Sequence, residues 1–264
     1  MKVALINNFP PYSGTGRVAY ELFEAFNEFD SIEADLFCTH YLQAADLNLP
    51  TNNGVIFLQN FPYKDNENLS RLLLYFVDPF RLPRGYDLYH VTNHMLGNYL
   101  YWLKPAVITV HDLLQFKYEE NRGDNLSSKI YNTLLRISLN AIPKAQRIIC
   151  VSEWTRQAVL KRFNLPAEKV VTIYNGINHA IFTPGDKLKA RKELDLPLDT
   201  KIILHVGAET KRKNIPVLLR ALKNFLAENE NIILVRVGEK KSETAELINR
   251  LGLKDKVLHF ENVA

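Results

Sequence analysis

The sequence predicts an α/β fold of two successive Rossmann-like units, of which the first is complete and the second contains only the first half of such a domain. Short apolar runs alternate with longer amphipathic stretches along the whole chain, and this alternation is typical of βαβ units around a parallel sheet. The alternation stops between about residues 175 and 200 and then starts afresh. We therefore expect two units with a boundary in that region.

In the first unit the apolar runs predict strands at residues 2–7, 32–38, 55–58, 87–91, 106–110, 146–151 and 169–173. The stretches between them predict helices at about residues 17–29, 68–77, 126–141 and 153–163. Apolar residues at helical spacing support these assignments, since Val18, Leu22 and Phe26 fall on one face of the first helix.

Turn-forming residues and charges mark the end of the first unit. Asn175-Gly176 follows the last strand, and the charged segment from Lys187 to Glu193 comes soon after it. We expect the first unit over residues 1–178, a linker over 179–200 and the second unit over 201–264. The second unit has predicted strands at 201–206, 231–237 and 256–260 and predicted helices at 214–228 and 242–251. Such a small sheet should have an uncovered edge beyond its last strand.

The composition is that of a soluble globular protein. Of the 264 residues, 47% are hydrophobic and 23% are charged, which excludes a disordered or fibrous chain. The net charge of +4 fits an anionic small ligand or an anionic membrane surface, but it is too small to indicate nucleic acid as a partner. Cys38 and Cys150 lie in apolar runs, which predicts buried thiols in a reducing compartment.

The apolar runs also bear on localisation. None approaches the roughly 18 residues that a membrane span needs. Residues 2–7 are followed by two prolines and by glycines, so a core strand explains them better than a signal peptide. We expect a cytoplasmic protein, with a peripheral position at the inner face of a membrane as an option.

The loop Pro10–Arg17 joins the first strand to the first helix. Such a loop offers backbone N–H groups and a positive helix terminus to an anion, and its glycines, Gly14 and Gly16, allow a phosphate or sugar to come close. The string also fits the G-x-G-x-x-A pattern of dinucleotide sites, but its first glycine comes several residues after the strand and no acidic residue ends the second strand. A glycine turn that merely shapes the connection stays an alternative.

Polar residues follow two further strands. His111 and Asp112 come at the carboxyl end of an apolar strand, where α/β folds place ligand contacts. His111 could donate a hydrogen bond to a sugar hydroxyl or pyrophosphate, or it could be satisfied by Asp112 or a backbone carbonyl. His90 and Asn93 end another strand and are expected to face the same cleft. Metal binding is disfavoured because no carboxylates accompany the histidines in a ligand-like arrangement.

The segment Gly207–Asn214 carries three consecutive cations directly before a predicted helix. Cations at a helix N-terminus are electrostatically disfavoured unless an anion is bound there. The segment therefore predicts a diphosphate site with Arg212 and Lys213 as its clamps, although a solvated basic loop is the ordinary alternative. Ser152, by contrast, is expected to be only a helix N-cap.

Taken in order, these segments resemble the retaining glycosyltransferase family 4, whose members have the two-domain GT-B architecture. The resemblance spans nearly the whole chain and depends on segments that are not specific singly. They are Ser13–Arg17, Val110–Leu113, Val151–Thr155, Ile173–Asn178 with Phe182–Pro184, and His205–Gly207 with Arg212–Asn214.

The resemblance implies a GT-B-like fold, transfer of a hexosyl group with retention of configuration, and no metal or other cofactor. The partners implied are a nucleotide-diphosphate sugar as co-substrate and a saccharide or lipid-linked acceptor. Gly14 and Gly16 then face the donor phosphates and sugar, His111 is the catalytic residue that contacts the sugar, and Arg212 and Lys213 clamp the diphosphate. The implied acceptor-side residues are Arg17, Asn93 and Asp112.

The chain departs from the family pattern in three places. Ser13 stands where many members have a first glycine, and Ala208 stands where many have an arginine. The two glutamates separated by seven residues, which bind the donor sugar and ribose in the family, have no counterpart in this chain. We therefore expect the 264-residue chain to be truncated and inactive by itself.

Two other functions stay open, a GT-B nucleotide-sugar epimerase and a non-catalytic fragment that binds a saccharide or acceptor. A glycoside hydrolase is disfavoured because no pair of facing carboxylates is evident. Residues 72–77 and 79–84, rich in aromatic and apolar side chains, are candidates for peripheral membrane contact, with a buried helix and its exit loop as the alternative.

Overall fold

The computed structural model describes residues 1–39, 54–58, 67–114, 125–228 and 231–261. The chain divides into two compact units, Met1–Ile177 and Asn178–Ala264. The segment 179–200, expected to be a linker, belongs to the second unit.

The first unit is built around a parallel sheet of seven described strands, ordered β3-β2-β1-β4-β5-β6-β7. Every expected strand is present, with bounds that differ by at most two residues at each end. The strands are β1 Lys2–Asn7, β2 Glu33–Cys38, β3 Val55–Phe57, β4 Leu88–Val91, β5 Ala106–Val110, β6 Arg147–Cys150 and β7 Val170–Thr172. The α/β fold predicted from the sequence is thereby confirmed.

Helices cover both faces of this sheet. The α-helices described in the first unit are α1 Gly14–Asn27, α2 Glu67–Phe76, α3 Asp78–Arg81, α4 Leu126–Ala141 and α5 Glu153–Phe163. A 3-10 helix, His94–Tyr101, follows β4 and was not expected from the sequence. It packs on α4, where a Cβ on Gly97 would come within 2.1 Å of the Ser138 carbonyl oxygen.

The core of the first unit forms on both faces of β1. Val3 and Leu5 pack with Tyr20 and Phe23 of α1 on one face, whereas Ala4 and Ile6 belong to the larger cluster that includes α4 and the 3-10 helix. A strand buried on both faces needs apolar residues at every position. This requirement explains the uninterrupted run Val3–Ile6, all of it fully buried.

The second unit has a parallel sheet of three described strands, ordered β10-β9-β8. The strands are β8 Lys201–Val206, β9 Ile232–Val237 and β10 Val257–Phe260, and the α-helices are α6 Lys187–Glu193, α7 Ile215–Leu226 and α8 Ser242–Leu251. The core lies between the sheet and α7 and α8. The last strand, β10, is an edge strand of the described sheet, as expected. At the other edge, Leu204 and Val206 of β8 are 62% and 63% exposed.

Two expectations about helices need correction. The first helix begins at Gly14 and not at Arg17, because Ser13 caps it by accepting a hydrogen bond from the Gly16 N–H. The charged segment Lys187–Glu193 is a helix capped by Asp186. Its Arg191 is buried and donates to three carbonyl oxygens of the following loop.

Candidate functional site

The candidate site in the first unit lies at the carboxyl ends of β1, β4 and β5. Strand β1 pairs with β2 on one side and with β4 on the other, so the sheet order changes direction at β1. In open α/β sheets ligands bind outside the carboxyl ends of the strands at such a switch point. The residues that follow these three strands are therefore candidates for contact with a ligand.

The start of α1, beside β1, has backbone N–H groups that no hydrogen bond among the described residues satisfies. Ser13 Oγ donates to the Pro10 carbonyl oxygen at 2.8 Å and accepts from the Gly16 N–H at 3.0 Å. In the first turn of a helix the N–H groups lack partners within the helix, and Ser13 satisfies one of them. The N–H groups of Gly14 and Thr15 have no partner among the described residues, and this turn contains no acidic residue, so these groups are suited to an anion.

The two glycines of this loop differ in their surroundings. Gly16 is buried, and a Cβ there would lie only 1.9 Å from the Pro10 carbonyl oxygen. Gly14 is exposed, and a Cβ there would meet nothing within 4 Å. Gly16 is therefore needed for the close packing of α1 on the loop that precedes it, whereas the space beside Gly14 is open. Arg17, in the next turn, is exposed and forms an ion pair with Glu21, with 3.1 Å between Nε and Oε1.

Asn93 joins the loops that follow β4 and β1. Its Nδ2 donates to Asn8 Oδ1 at 2.7 Å, and its Oδ1 accepts from the Met95 N–H at the start of the 3-10 helix. The side chain is almost fully buried. Asn93 therefore holds the shape of this edge and offers little surface to a ligand.

His90 lies within β4, three residues before Asn93, and is buried. Its Nε2 is 2.8 Å from Thr109 Oγ1 on β5. Burial, with a smaller contribution from the neighbouring His111, lowers the pKa of His90 to about 4. The ring is therefore neutral at physiological pH and belongs to the support of the site.

His111 is held at the end of β5 by a backbone carbonyl, one of the alternatives raised by its sequence position. Its Nε2 lies 2.9 Å from the Thr92 oxygen, and because a carbonyl only accepts, Nε2 carries the proton. Burial lowers the pKa of His111, although the bond to Thr92 and the charge of Asp112 act against the shift. In the neutral ring Nδ1 can only accept a hydrogen bond, so the expected donation to a substrate is not available.

The Asp112 side chain forms a hydrogen bond within its own turn. Its Oδ1 accepts from the Leu114 N–H at 3.1 Å. The carboxylate thereby fixes the backbone directly after His111, and the Thr155 hydroxyl of α5 bonds to the His111 carbonyl oxygen. Of the residues expected in the first unit, the structure brings together Asn93, His111 and Asp112.

The candidate site in the second unit lies where β8 and β9 end. Gly207 and Gly238 have φ of +147° and +133°, and a Cβ on Gly238 would come within 2.6 Å of the Gly207 carbonyl oxygen. Two positive φ values and this close approach require glycine at both positions. The backbone of the loop after β8 can therefore lie directly against the end of β9.

The three cations of this loop form an exposed 3-10 turn, Lys211–Lys213, immediately before α7. Asn214, with φ of +48°, reverses the chain, and Pro216 lies in the first turn of the helix. The Lys213 side chain folds back toward Gly207, with Cε 3.5 Å from where a Cβ of that glycine would be. Arg212 and Lys213 are thus together at the end of β8, at the helix terminus where an anion is favoured.

A buried ion pair beneath this loop was missed in the sequence. Arg236 on β9 is fully buried, pairs with Glu209 and donates to the Gly207 carbonyl oxygen at 3.3 Å. Glu209 also accepts from the Thr244 hydroxyl and the Lys241 N–H, and these hydrogen bonds with the Arg236 charge lower its pKa although burial acts in the opposite direction. The signal was present as a single arginine inside the apolar run Ile232–Val237.

Two structural findings concern metals and membranes. Within the described residues, no three histidine, cysteine or acidic side chains are grouped so that they could hold a metal ion. The described helices likewise include none with the length and apolarity that a bilayer crossing requires. Both cysteines are buried and free, as expected.

Family comparisons identify the class of protein. Residues 12–181 match Glycosyltransferase Family 4, and residues 186–264 match Glycosyl transferases group 1. The first match covers more than half of the chain. The chain therefore belongs to glycosyltransferase family 4, as its motifs suggested, and the epimerase and binding-fragment alternatives are not favoured.

Curated relatives support this assignment. An uncharacterized glycosyltransferase of Methanocaldococcus jannaschii is 32% identical over 183 residues, which cover 66% of this chain and 46% of the relative. A D-inositol 3-phosphate glycosyltransferase of Thermobispora bispora is 27% identical, with 66% and 44% covered. The O-antigen chain mannosyltransferase RfbU of Salmonella typhimurium is 28% identical, with 61% and 41% covered. The chain spans less than half the length of these relatives.

Solved structures share the fold. Anabaena HepE in complex with UDP and glucose superposes with a TM-score of 0.70 at 18% identity, over 100% of this chain and 70% of HepE. WaaG, a glycosyltransferase involved in lipopolysaccharide biosynthesis, gives a TM-score of 0.64 at 13% identity, over 99% and 70%. These similarities confirm the GT-B-like fold class.

Proposed function

We propose that the protein transfers a hexosyl group from a nucleotide-diphosphate sugar to a saccharide or lipid-linked acceptor, with retention of anomeric configuration and without a metal. The observation that carries the proposal is the exposed turn Lys211–Lys213 at the start of α7. The relatives' printed activities, among them a mannosyltransferase, and the complexes of HepE with UDP and with UDP-glucose are consistent with it.

In the second unit, Arg212 and Lys213 are proposed to bind the diphosphate. Negative charge develops on the leaving diphosphate as the glycosidic bond to the donor breaks, so cations fixed near it stabilise the transition state more than the ground state. The Arg236–Glu209 pair leaves the loop with a net positive outer surface, because it neutralises the acidic group of the loop internally.

In the first unit, the N–H groups of Gly14 and Thr15 are proposed to face the donor sugar and phosphates. His111 is proposed to accept a hydrogen bond from a sugar hydroxyl at Nδ1, since Nε2 is bound to Thr92. Arg17 is exposed on the first turns of α1 and is proposed to contact the acceptor. Asn93 and Asp112 are proposed to support the acceptor side by fixing the loops around it.

The whole reaction is proposed for the full-length protein in the cytoplasm. We expect the 264-residue chain to be inactive alone and to bind nucleoside diphosphates weakly, because the chain lacks the family's spaced glutamates. Isothermal titration with UDP and GDP tests this expectation. Tight, nucleoside-specific binding by this chain would contradict it.

The diphosphate site itself can be tested with inorganic pyrophosphate. Titrated into the isotopically labelled 264-residue chain, pyrophosphate should shift the backbone NMR resonances of residues 207–216 even if its dissociation constant is millimolar. R212Q/K213Q should abolish these shifts. K187Q/K189Q removes the same charge from α6 in the same unit and should leave them intact.

Two outcomes would contradict the proposed diphosphate site. One is a shift pattern that is spread over many basic residues and is weakened equally by both variants, which indicates non-specific charge attraction. The other is the absence of any shift in the loop at pyrophosphate concentrations that saturate the remainder of the spectrum.

A further inference from the structure

Aromatic and basic side chains form an exposed cluster at the amino ends of β4, β5 and β6. Phe80 and Arg84 precede β4, Tyr101–Lys104 precede β5, and Lys144 precedes β6. Because parallel strands begin at the same edge of a sheet, these residues lie at the edge opposite the candidate site. We call the cluster the amino-end patch, and it consists of Phe80, Arg84, Tyr101, Trp102, Lys104 and Lys144.

Side-chain contacts link the members of the patch in two groups, one around Trp102 and one around Tyr101. The rings of Phe80 and Trp102 lie 4.5 Å apart between centroids, and Arg84 Nη1 donates to the Trp102 carbonyl oxygen at 2.9 Å. Lys144 Nζ lies 4.9 Å from the centroid of Tyr101. Phe80 and Trp102 are nevertheless 54% and 47% exposed. The rings contact each other but are not covered by the remainder of the unit.

The charge of the patch is positive. Arg84, Lys104 and Lys144 are exposed, whereas Asp78, in the helix that carries Phe80, is buried and paired with Arg81 at 3.0 Å. Asp87, farther along the loop, accepts the backbone N–H of Lys2. The exposed aromatic rings are therefore bordered mainly by cations.

This combination fits a lipid surface better than another protein. Trp and Tyr are enriched where an apolar phase meets water, and clustered Lys and Arg bind anionic headgroups. Lysine is depleted in protein–protein interfaces, yet two of the three cations here are lysines. We propose that the amino-end patch binds the surface of a bilayer that contains anionic lipid, with Phe80 and Trp102 inserted between headgroups. The candidate site lies at the opposite edge of the sheet, so this binding mode favours a saccharide acceptor over one whose acceptor group lies among the headgroups.

Vesicle binding by the 264-residue chain tests this surface without any need for catalysis. The chain should co-sediment with vesicles of phosphatidylglycerol and phosphatidylcholine, much less with phosphatidylcholine alone, and poorly near 1 M salt, where the Debye length is about 3 Å. F80S/W102S should weaken binding at least tenfold. K104S/K144S should weaken it by about fivefold for each cation removed.

The control variant is Trp154→Ser. Trp154 is 69% exposed on α5, away from the amino ends of the strands, so its removal should leave vesicle binding unchanged. Circular dichroism melting of each variant shows whether the fold is kept.

The two tryptophans of the chain provide a readout that leaves the patch intact. In Trp154→Phe the remaining Trp102 should shift its emission to the blue on vesicle binding and be quenched by brominated phosphatidylglycerol. In Trp102→Phe the remaining Trp154 should show neither effect.

Three results would overturn the proposal. The first is no binding of the wild-type chain to anionic vesicles. The second is binding that both patch variants retain, or quenching of Trp154 with Trp102 unaffected, which would place the contact elsewhere. The third is a dimer in sedimentation velocity that F80S/W102S dissociates, which would make the patch an interface between two copies of this chain.

Discussion

At the scale of single residues, the first connection of the chain depends on one close approach. Gly16 lies where any side chain would overlap the Pro10 carbonyl, whereas Gly14, two residues earlier, faces open space. The two positions share a residue type and a loop, yet only Gly16 is demanded by packing. A ligand role is therefore more informative to test at Gly14.

Gly16→Ala should lower the free energy of unfolding of the first unit by about 1–3 kcal/mol, because the added methyl group forces α1 away from the loop. Gly14→Ala is the matched control and should be neutral or slightly stabilising, since alanine is the better helix former. Urea unfolding followed by tryptophan fluorescence measures both. Equal stability of the two variants would show that α1 relaxes without cost.

His90 should make the first unit sensitive to mild acid. Burial holds its pKa in the folded protein at about 4, below the ordinary value of 6.5, so the neutral ring stabilises the fold fully above pH 6.5 and this contribution is lost as the pH falls toward 4. Between pH 7 and pH 5 the loss should be about 2 kcal/mol.

The contribution of His90 to this loss of stability can be separated from that of carboxylates that titrate in the same pH range. His90→Gln retains a polar group for the Thr109 hydroxyl but cannot titrate, so its free energy of unfolding should fall less than that of the wild type between pH 7 and pH 5. If the free energy of unfolding falls equally with pH in the two proteins, the pKa of His90 is not depressed.

At the scale of elements, the basic loop of the second unit depends on the Arg236–Glu209 pair beneath it. Breaking a buried ion pair by removing one partner leaves an uncompensated charge, whereas replacing both partners with apolar residues is often harmless. Arg236 also donates to the Gly207 carbonyl oxygen, and Glu209 accepts from the Lys241 N–H and the Thr244 hydroxyl. It thus joins the ends of β8 and β9 to the start of α8.

Glu209→Gln should destabilise the second unit by about 3–5 kcal/mol, and E209L/R236M should recover much of this loss. Trypsin should cleave Glu209→Gln after Lys211, Arg212 or Lys213 faster than it cleaves the wild type. Far-UV circular dichroism in urea and mass spectrometry of the fragments measure the two effects. A double variant no more stable than the single one would show that the charges themselves are needed.

At the scale of the whole molecule, the two units differ in how well their sheets are covered. The first has helices on both faces of its seven described strands, whereas the second leaves Leu204 and Val206 of β8 largely exposed. A small unit with less buried apolar surface is expected to be the less stable one. The units should therefore unfold separately.

This difference can be measured because Trp102 and Trp154 both lie in the first unit. Far-UV circular dichroism in urea should show an early transition, from the second unit, that tryptophan fluorescence does not report, and a later one common to both probes. Superimposable curves from the two probes would contradict independent unfolding.

The sequence predicted the described strands and most helices because burial imposes clear patterns on them, as in Val3–Ile6. It did not reveal the helix Lys187–Glu193, because so many charged residues are typical of a linker. The structure shows that Arg191 of this helix donates to carbonyl oxygens of the following loop. The sequence predicted that His111, Asn93 and Asp112 lie at the same edge of the sheet. It did not predict their hydrogen-bond partners, because these depend on tertiary contacts. The long-range pairing of Arg236 with Glu209 could not be predicted either, since its only sign in the sequence is one charged residue inside an apolar strand.

The position of β1 in the middle of its sheet has a consequence for synthesis of the chain. Its pairing with β4 joins Val3 to Leu88, so β1, which is synthesised well before β4, waits for one of its two neighbours. At roughly 5–20 residues per second, one edge of β1, with its apolar run Val3–Ile6, stays open for several seconds, a period in which chaperones that bind nascent chains are most useful to this protein.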